Sequence, residues 1–419
     1  MTIGRDEIGQ RSETVRRANL SAIVRELHAC GPLSRSELVA RTGLTRSAIR
    51  GLIGELVAGG LVTEGRAAPL GTPGRPSPLA CPDPSGATVL ALDIEVDSLA
   101  AAVVGLGGEV LDHVRVDRPR RHSSVDQIVG DLAGLVAVVR ANRPVERHEI
   151  GICVAVVGVV RRADGLVSMA PNLGWTDVPL GERLARVLGD DVPILVANEA
   201  DLGALAEVRR GAAVGADHVL FISGEVGVGG GLIIDGQPFT GVSGYGGEVG
   251  HFPVNPAGLT CRCGAVGCWE TEVGAASLLR RAGRPAPGGL AEVDAVLREA
   301  EAGTPRAVQA LEETGRWLGV GLAGLVNLLN PRLVVLGGLF GRIHPYIAGY
   351  VESELDRRAL PAPRRLLRVV PGSLGAEAPL LGAAELAFEP LLADPAVWMR
   401  ARDVDLSRDA KFGFRRVVA

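Results

Sequence analysis

Lysine is almost missing from this 419-residue chain. Of its 44 basic side chains one is a lysine, Lys411, and the rest are arginine, a bias that reports a GC-rich genome rather than a function. Long apolar runs are missing too. None approaches the roughly 20 uninterrupted residues a membrane helix needs, and the stretch Val192–Leu205 is broken by Asn198, Glu199 and Asp201. The opening MTIGRDEIGQRSE is polar and mixed in charge, so it has no signal-peptide core and a cytoplasmic protein is expected. A disulfide framework is absent as well: Cys30, Cys81 and Cys153 are scattered, while Cys261, Cys263 and Cys268 form a tight trio. In a reducing compartment such a trio reads as a metal site. With 47% hydrophobic and 22% charged residues the chain is globular, and its length predicts two or three domains.

Charge is unevenly placed. Residues 1–80 carry 11 Arg against 7 Asp and Glu, a net +4, whereas the remainder carries 33 basic against 41 acidic groups, a net −8. A small basic head on a large acidic body suggests that the head alone meets a polyanion. The head, residues 1–66, predicts three helices. Val15–Cys30 places Leu20, Ile23, Val24 and Leu27 on one face. Ser34 and Glu37 form a capping box for a second helix. After Thr42-Gly43-Leu44, Thr45 caps a third helix to about Ala58, with Ala48, Leu52, Ile53 and Leu56 facing inward. Gly59-Gly60 ends it, and a short strand begins at Leu61. This is the order of a winged helix-turn-helix. Thr45, Arg46, Ser47 and Arg50 are left outside, suited to base edges and phosphates in a major groove; a three-helix protein-interaction module is the alternative. Residues 67–86, rich in Pro and Gly, read as wing end and linker. There Arg75 could enter a minor groove or simply be a solvated linker arginine.

From residue 87 to 393 strands and helices alternate, predicting α/β halves around two sheets with a cleft between them. Residues 394–419 lose their periodicity and read as an ordered or frayed tail of unknown role. The segment Ser223–Gly231 follows one strand and precedes another. Its glycines permit close backbone approach to a ligand, or a merely tight β-hairpin. It is neither a Walker loop nor a dinucleotide fingerprint, and Glu225 within it would repel a nucleotide phosphate. His251 with Cys261, Cys263 and Cys268, separated by Gly and Pro turns, has the donors for a closed tetrahedral zinc site of structural type. Tethering His251 and Cys268 would pin Glu248 and Glu270 beside the cleft as hydrogen-bond acceptors for a polyhydroxyl ligand.

Glu248-Val249-Gly250-His251 with Cys261-Arg262-Cys263-Gly264-Ala265-Val266-Gly267-Cys268-Trp269-Glu270 resembles the paired signature of the ROK family, which comprises repressors, open reading frames and sugar kinases. Ala170–Trp175, Asn330–Gly338 and Leu380–Ala384 are similar to it in the same order, so the resemblance spans about residues 87–392. It implies a duplicated actin-like, ribonuclease H-like ATPase fold whose cleft binds a sugar. Members with a winged helix are transcriptional regulators; those without are kinases. The resemblance assigns sugar hydroxyls to Asn172, Asn198, Glu248, His251 and Glu270, and zinc to His251, Cys261, Cys263 and Cys268.

Departures from the family pattern argue against catalysis. The first phosphate turn, Asp-x-Gly-Gly-Thr in a kinase, is Asp93-Ile94-Glu95-Val96-Asp97 here. Glu225-Val226 replaces the Gly-Thr of the second. At the position of the catalytic Asp stands Glu199, one methylene longer, and about 1 Å of misplacement costs on the order of 10²-fold in rate. Glu199 retains the capacity to accept a hydrogen bond from sugar. The expectation is a homodimeric or dimer-of-dimers repressor, not an enzyme, whose operator DNA binding responds to a sugar effector; an ATP-dependent sugar kinase is the rival.

Overall fold

The structure, a computed structural model, describes residues 5–66, 78–118, 123–142, 149–189, 193–286 and 289–405. In the head, α1 (Arg5–Cys30) buries Leu20, Ile23, Val24 and Leu27 along one stripe. After β1 (Leu33–Ser34), Ser34 caps α2 (Arg35–Thr42) with the full reciprocal box to Glu37, and Gly43 ends it at φ 71°. Thr45 caps α3 (Arg46–Ala58) by accepting the Ala48 N–H. The inward face of α3 is Ile49, Leu52, Ile53 and Leu56; Ala48 is only half-buried. The branched Ile49, one position on, fills the space that the short Ala48 cannot. β2 (Val62–Arg66) and β3 (Pro78–Pro82) form the wing, in the order β1-β3-β2. Pro78–Pro82 fell in the stretch read as wing end and linker. It pairs as a strand because its two prolines lie at its ends, where a missing N–H costs least. Arg75 lies outside the described residues.

The body repeats one plan. Its first half runs β4 (Thr88–Ile94), β5 (Ser98–Gly105), β6 (Val110–Asp117), α4 (Val125–Ala141), β7 (Glu149–Val156), β8 (Val159–Arg161), β9 (Leu166–Ala170), β10 (Trp175–Pro179), α5 (Leu180–Leu188) and β11 (Ile194–Asn198). α6 (Glu199–Arg210) leads into the second half: β12 (Val219–Gly224), β13 (Val228–Ile234), β14 (Gln237–Pro238), α7 (Trp269–Val273), α8 (Ala275–Ala282), α9 (Leu290–Glu301), α10 (Pro305–Leu329), β15 (Leu333–Gly337), α11 (Gly338–Arg358), α12 (Pro361–Leu366) and β16 (Arg368–Pro371). The two five-stranded sheets are ordered β11-β7-β4-β5-β6 and β16-β15-β12-β13-β14. In each, the first strand pairs antiparallel with the second and parallel with the strand on its other side. The strands β4, β5 and β15 are buried at every residue, hence their largely apolar sequence, interrupted only by Thr88, Asp93 and Ser98. β8, β9 and β10 form a separate small sheet in the first half.

The last elements among the described residues are α13 (Ala378–Ala393) and α14 (Pro395–Asp405). The described part of the expected tail is ordered: after Asp394 the chain forms a helix that packs on the head. Ala396, Trp398 and Met399 join the apolar cluster that holds Leu20, Ile23, Phe388 and Leu391. A methyl group added at Gly59 would fall 2.5 Å from the Met399 side chain. Eleven residues, with four of the apolar ones consecutive at Ala396–Met399, are too short a stretch to show a period.

Polar contacts reinforce this junction. His28 and Glu385 are each 3% exposed and lie 3.1 Å apart. The Gly107 N–H donates to His28 Nδ1 at 3.0 Å, which places the imidazole hydrogen on Nε2, facing Glu385. Arg210 donates to the other oxygen of Glu385 and to the Gly107 carbonyl. Ser21 bonds the Leu392 carbonyl at 2.6 Å, and Arg25 pairs with Glu389 at 2.9 Å.

Candidate functional site

Strand ends and loops of both halves converge on one cleft, which encloses about 810 Å³, solvent at its mouth included. Asn172, Asn198, Glu199, Glu248, His251 and Glu270 all line it. The fold explains each placement. Asn172 follows β9, and Asn198 caps α6, with Glu199 its first residue. Glu248 and His251 bracket a 3₁₀ turn, and Glu270 opens α7. Asn172 Nδ2 and Glu270 Oε2 converge on the backbone of Gly227: a methyl group added there would lie 3.4 and 3.1 Å from them. Asn198 is already committed to the backbone. Its Oδ1 accepts from the Ala200 and Asp201 N–H groups and its Nδ2 donates to the Gly158 carbonyl at 2.9 Å, leaving one hydrogen for a ligand.

The Ser223–Gly231 segment is a β-hairpin. Gly229, Gly230 and Gly231 belong to β13, and the tip is closed by the Glu225 N–H donating to Gly227 O. The glycines serve close packing: a methyl group at Gly231 would collide with the Ala200 carbonyl at 2.4 Å. The hairpin tip, Glu225–Gly227, faces the cleft together with Val228 and Gly229 at the start of β13.

A smaller inner compartment of about 330 Å³, bordered by Ser223, Gly338, Gly375 and Ala376, shares Glu95, Glu199 and Glu225 with the outer cleft. Burial raises Glu199 well above the ordinary carboxylate range, and repulsion from Glu225, Glu95 and Asp93 adds to it. Asp93 is raised by complete burial and by Glu95, against the pull of Arg115. Arg115 spans the two halves from β6. It lies 3.4 Å from Asp93, 3.5 Å from Glu95 and 3.6 Å from Glu377, and it donates to the Ala376 carbonyl. Nothing in the sequence pattern of β6 announces this role. Arg262, which lines the outer cleft and donates to Asn172 Oδ1, was equally unexpected, though its place between two metal-site cysteines was a usable signal.

His251, Cys261, Cys263 and Cys268 bring one ligand atom each to within 4.8 Å of one another. Cys263 and Cys268 sulfurs stand 3.6 Å apart, and Cys261 Sγ is 3.7 Å from His251 Nδ1. Zinc–sulfur bonds of about 2.3 Å in a tetrahedron place two sulfurs roughly 3.8 Å apart, so the donor set fits such an ion. With Nδ1 turned to the cysteines, Nε2 remains for the cleft. The cluster could hold a metal.

On the head, Thr45, Arg46, Ser47 and Arg50 are all solvent-exposed at the start of α3. No helix among the described residues is long and apolar enough to cross a membrane.

A model of the ROK family matches residues 89–389. The chain is 28% identical to the xylose repressor of Bacillus subtilis (strain 168) over 379 residues, 90% of this chain and 97% of the repressor. It is 31% identical to the glucokinase of Streptomyces coelicolor (strain ATCC BAA-471 / A3(2) / M145) over 320 residues, 72% of this chain and 98% of the kinase. Among solved structures, a ROK family transcriptional regulator, a homolog of the E. coli MLC protein, superposes with a TM-score of 0.73 at 25% identity, covering 93% of this chain and 99% of that one. A 90% match leaves about 42 of the 419 residues uncovered, fewer than the 88 that precede the family match. The repressor likeness therefore runs into the head.

Proposed function

Because the chain belongs to the ROK family, we propose that it is a sugar-responsive transcriptional repressor of carbohydrate genes, working in the cytoplasm as a homodimer or dimer of dimers. The observation that carries this reading is the head: a winged helix with an exposed Thr45-Arg46-Ser47 start to α3, docked on the body through buried contacts. Arg46 and Arg50 supply guanidinium groups for guanine edges or phosphates, and Thr45 and Ser47 supply hydroxyls. Arg75 is proposed as a minor-groove contact. Two-fold symmetry of the assembly would match a palindromic operator.

In the cleft, Glu248, Glu270, Glu199, His251, Asn172 and the remaining Asn198 hydrogen meet sugar hydroxyls. Zinc on His251, Cys261, Cys263 and Cys268 would be structural, supplying no chemistry beyond anchoring the loop that carries Arg262 and the start of α7. The cleft state reaches the head through α6 and α13. α6 begins at Glu199 and ends with Arg210 on Glu385, while α13 begins beside Glu377, which Arg115 holds, and carries Glu385 and Glu389 to α1. Sugar shifts the population between DNA-competent and incompetent states by binding one more tightly than the other.

Phosphoryl transfer is not part of this function, since carboxylates occupy the positions where a nucleotide's phosphates need donors and cations. The glucokinase relative keeps a sugar kinase as the second reading. Mobility shifts with DNA from the gene's own neighbourhood, with and without a panel of sugars, test the proposal: one sugar should release the operator. A coupled ADP-release assay should show no turnover; turnover abolished by Glu199→Gln would establish the kinase instead.

A further inference from the structure

The chemical form of the effector is decided at the inner end of the cleft. Glu95, Glu199 and Glu225 border both the outer cleft and the inner compartment, so any group that projects inward from a bound sugar passes between them. They come from three separate elements: the loop after β4, the first turn of α6 and the β12–β13 hairpin tip. Behind them Asp93 is fully buried, and its Oδ1 has no hydrogen-bond partner among the described residues.

Phosphate is recognised by guanidinium forks, by lysine or by free N–H groups at a helix N-terminus. Among the described residues no arginine or lysine lines the inner compartment; α11 starts there at Gly338 without a side-chain cap, and it is that helix end which the three carboxylates must outweigh. The start of α6 would be such an anion site, but Asn198 Oδ1 caps the Ala200 and Asp201 N–H groups. Arg115 is divided among Asp93, Glu95, Glu377, the Ser98 hydroxyl and the Ala376 carbonyl. Arg262 borders the outer cleft and not the inner compartment, and it is bonded to Asn172. Hydroxyls, by contrast, donate to carboxylates without any charge to oppose.

We infer that Glu95, Glu199 and Glu225 form an anionic gate that makes the cleft select free sugars and reject their phosphate esters. This rests on the cleft being a sugar site, the reading proposed above. Glu95 and Glu225 supply the repulsion, and Glu199 supplies a hydrogen-bonding partner for the hydroxyl that faces the gate. The signal read is thus the sugar before any kinase has acted on it.

Calorimetric titration of the full chain with matched pairs tests this: D-xylose and its 5-phosphate, D-glucose with its 1- and 6-phosphates, and N-acetyl-D-glucosamine with its 6-phosphate. The sugar that binds should do so at least ~10-fold more tightly than any of its esters, because like charges in a desolvated cleft repel strongly. The E95Q/E225Q double variant should narrow that ratio several-fold. In the unaltered protein, raising salt from ~0.05 to ~0.5 M should narrow it too, a control independent of the variant's folding. An ester that binds as tightly as its free sugar, through the gate or through Arg262, overturns the inference, as does a ratio unmoved by both variant and salt. Should neither member of any pair bind, the sugar reading falls and the gate falls with it, whereas tight ester binding would spare the former.

Discussion

Replacing Glu385 by alanine is the sharpest test of how the body is joined to the head. The carboxylate is 3% exposed and stands between His28 Nε2, at 3.1 Å, and Arg210, whose guanidinium is 17% exposed. Truncation removes both bonds at once and strands a buried cation, a lesion that typically costs about 3–5 kcal/mol. Glu385→Gln keeps the shape and loses only the charge, so it should cost nearer ~2 kcal/mol, the range for hydrogen bonds to ionised groups. Both losses fall on the junction rather than on either core, so urea unfolding should split into two transitions, with the head leaving first. The effect has a pH signature. Burial pushes Glu385 upward, but hydrogen bonds from His28 and Arg210 and the charge of Arg210 outweigh it and hold its pKa below the ordinary value. A depressed carboxylate stabilises above the unfolded-state pKa of about 4.3 and loses that contribution as the pH falls through its folded value. The gap between the unaltered protein and Glu385→Gln should therefore be full at pH 7 and shrink in acid. In mobility shifts the alanine variant should still bind operator but respond weakly to sugar. A single transition at an unchanged midpoint, together with an intact sugar response, would refute the coupling through this junction.

Arg50→Ala should weaken operator binding by about 1–3 kcal/mol, roughly five- to 150-fold, and leave calorimetric sugar affinity unchanged; an unaltered gel shift would remove α3 from the groove. Chelation should release one zinc per chain by metal analysis and lower thermal stability, and Cys263→Ser should purify without metal; a metal-free protein of unchanged stability would refute the structural role. Asp201 is pushed up to about 7, chiefly by burial, while an unfolded aspartate titrates near about 3.9. The folded state therefore holds an extra proton between those values, and stability falls as the pH rises from about 4 to about 7. Asp201→Asn should flatten that decline in denaturation midpoints taken at pH 5 and pH 8, and an unchanged slope would remove Asp201 as its source.

The parts of the molecule legible in its sequence are those where local chemistry alone decides. Ser34 and Glu37 announce the start of α2 because a capping box needs no tertiary partner, and Thr45 does the same for α3. His251 and the three cysteines announce a metal cluster because ligand type and turn residues suffice. Wherever a residue's role is set by a distant partner, the sequence is silent. Ala48 was expected inward and Ile49 proved to be the buried one, since helical spacing tolerates a one-residue error that only packing against α1 resolves. α14 is short and has its apolar residues bunched at Ala396–Met399 rather than spaced at a helical period, and it packs beside α1 and Gly59.

Arg115 is the case with the most consequence. In β6 it is one polar residue among alternating ones, yet across the fold it meets Asp93, Glu95 and Glu377 from three directions. Those carboxylates would be intolerable together without it, and it would be costly to bury without them. The counter-charge beside Asp93 and Glu95 is therefore supplied from within, by an arginine that bridges the two halves. The same bridge ties the inner compartment to the start of α13, and α13 ends on the head. The cleft and the head are thereby joined by a continuous chain of contacts.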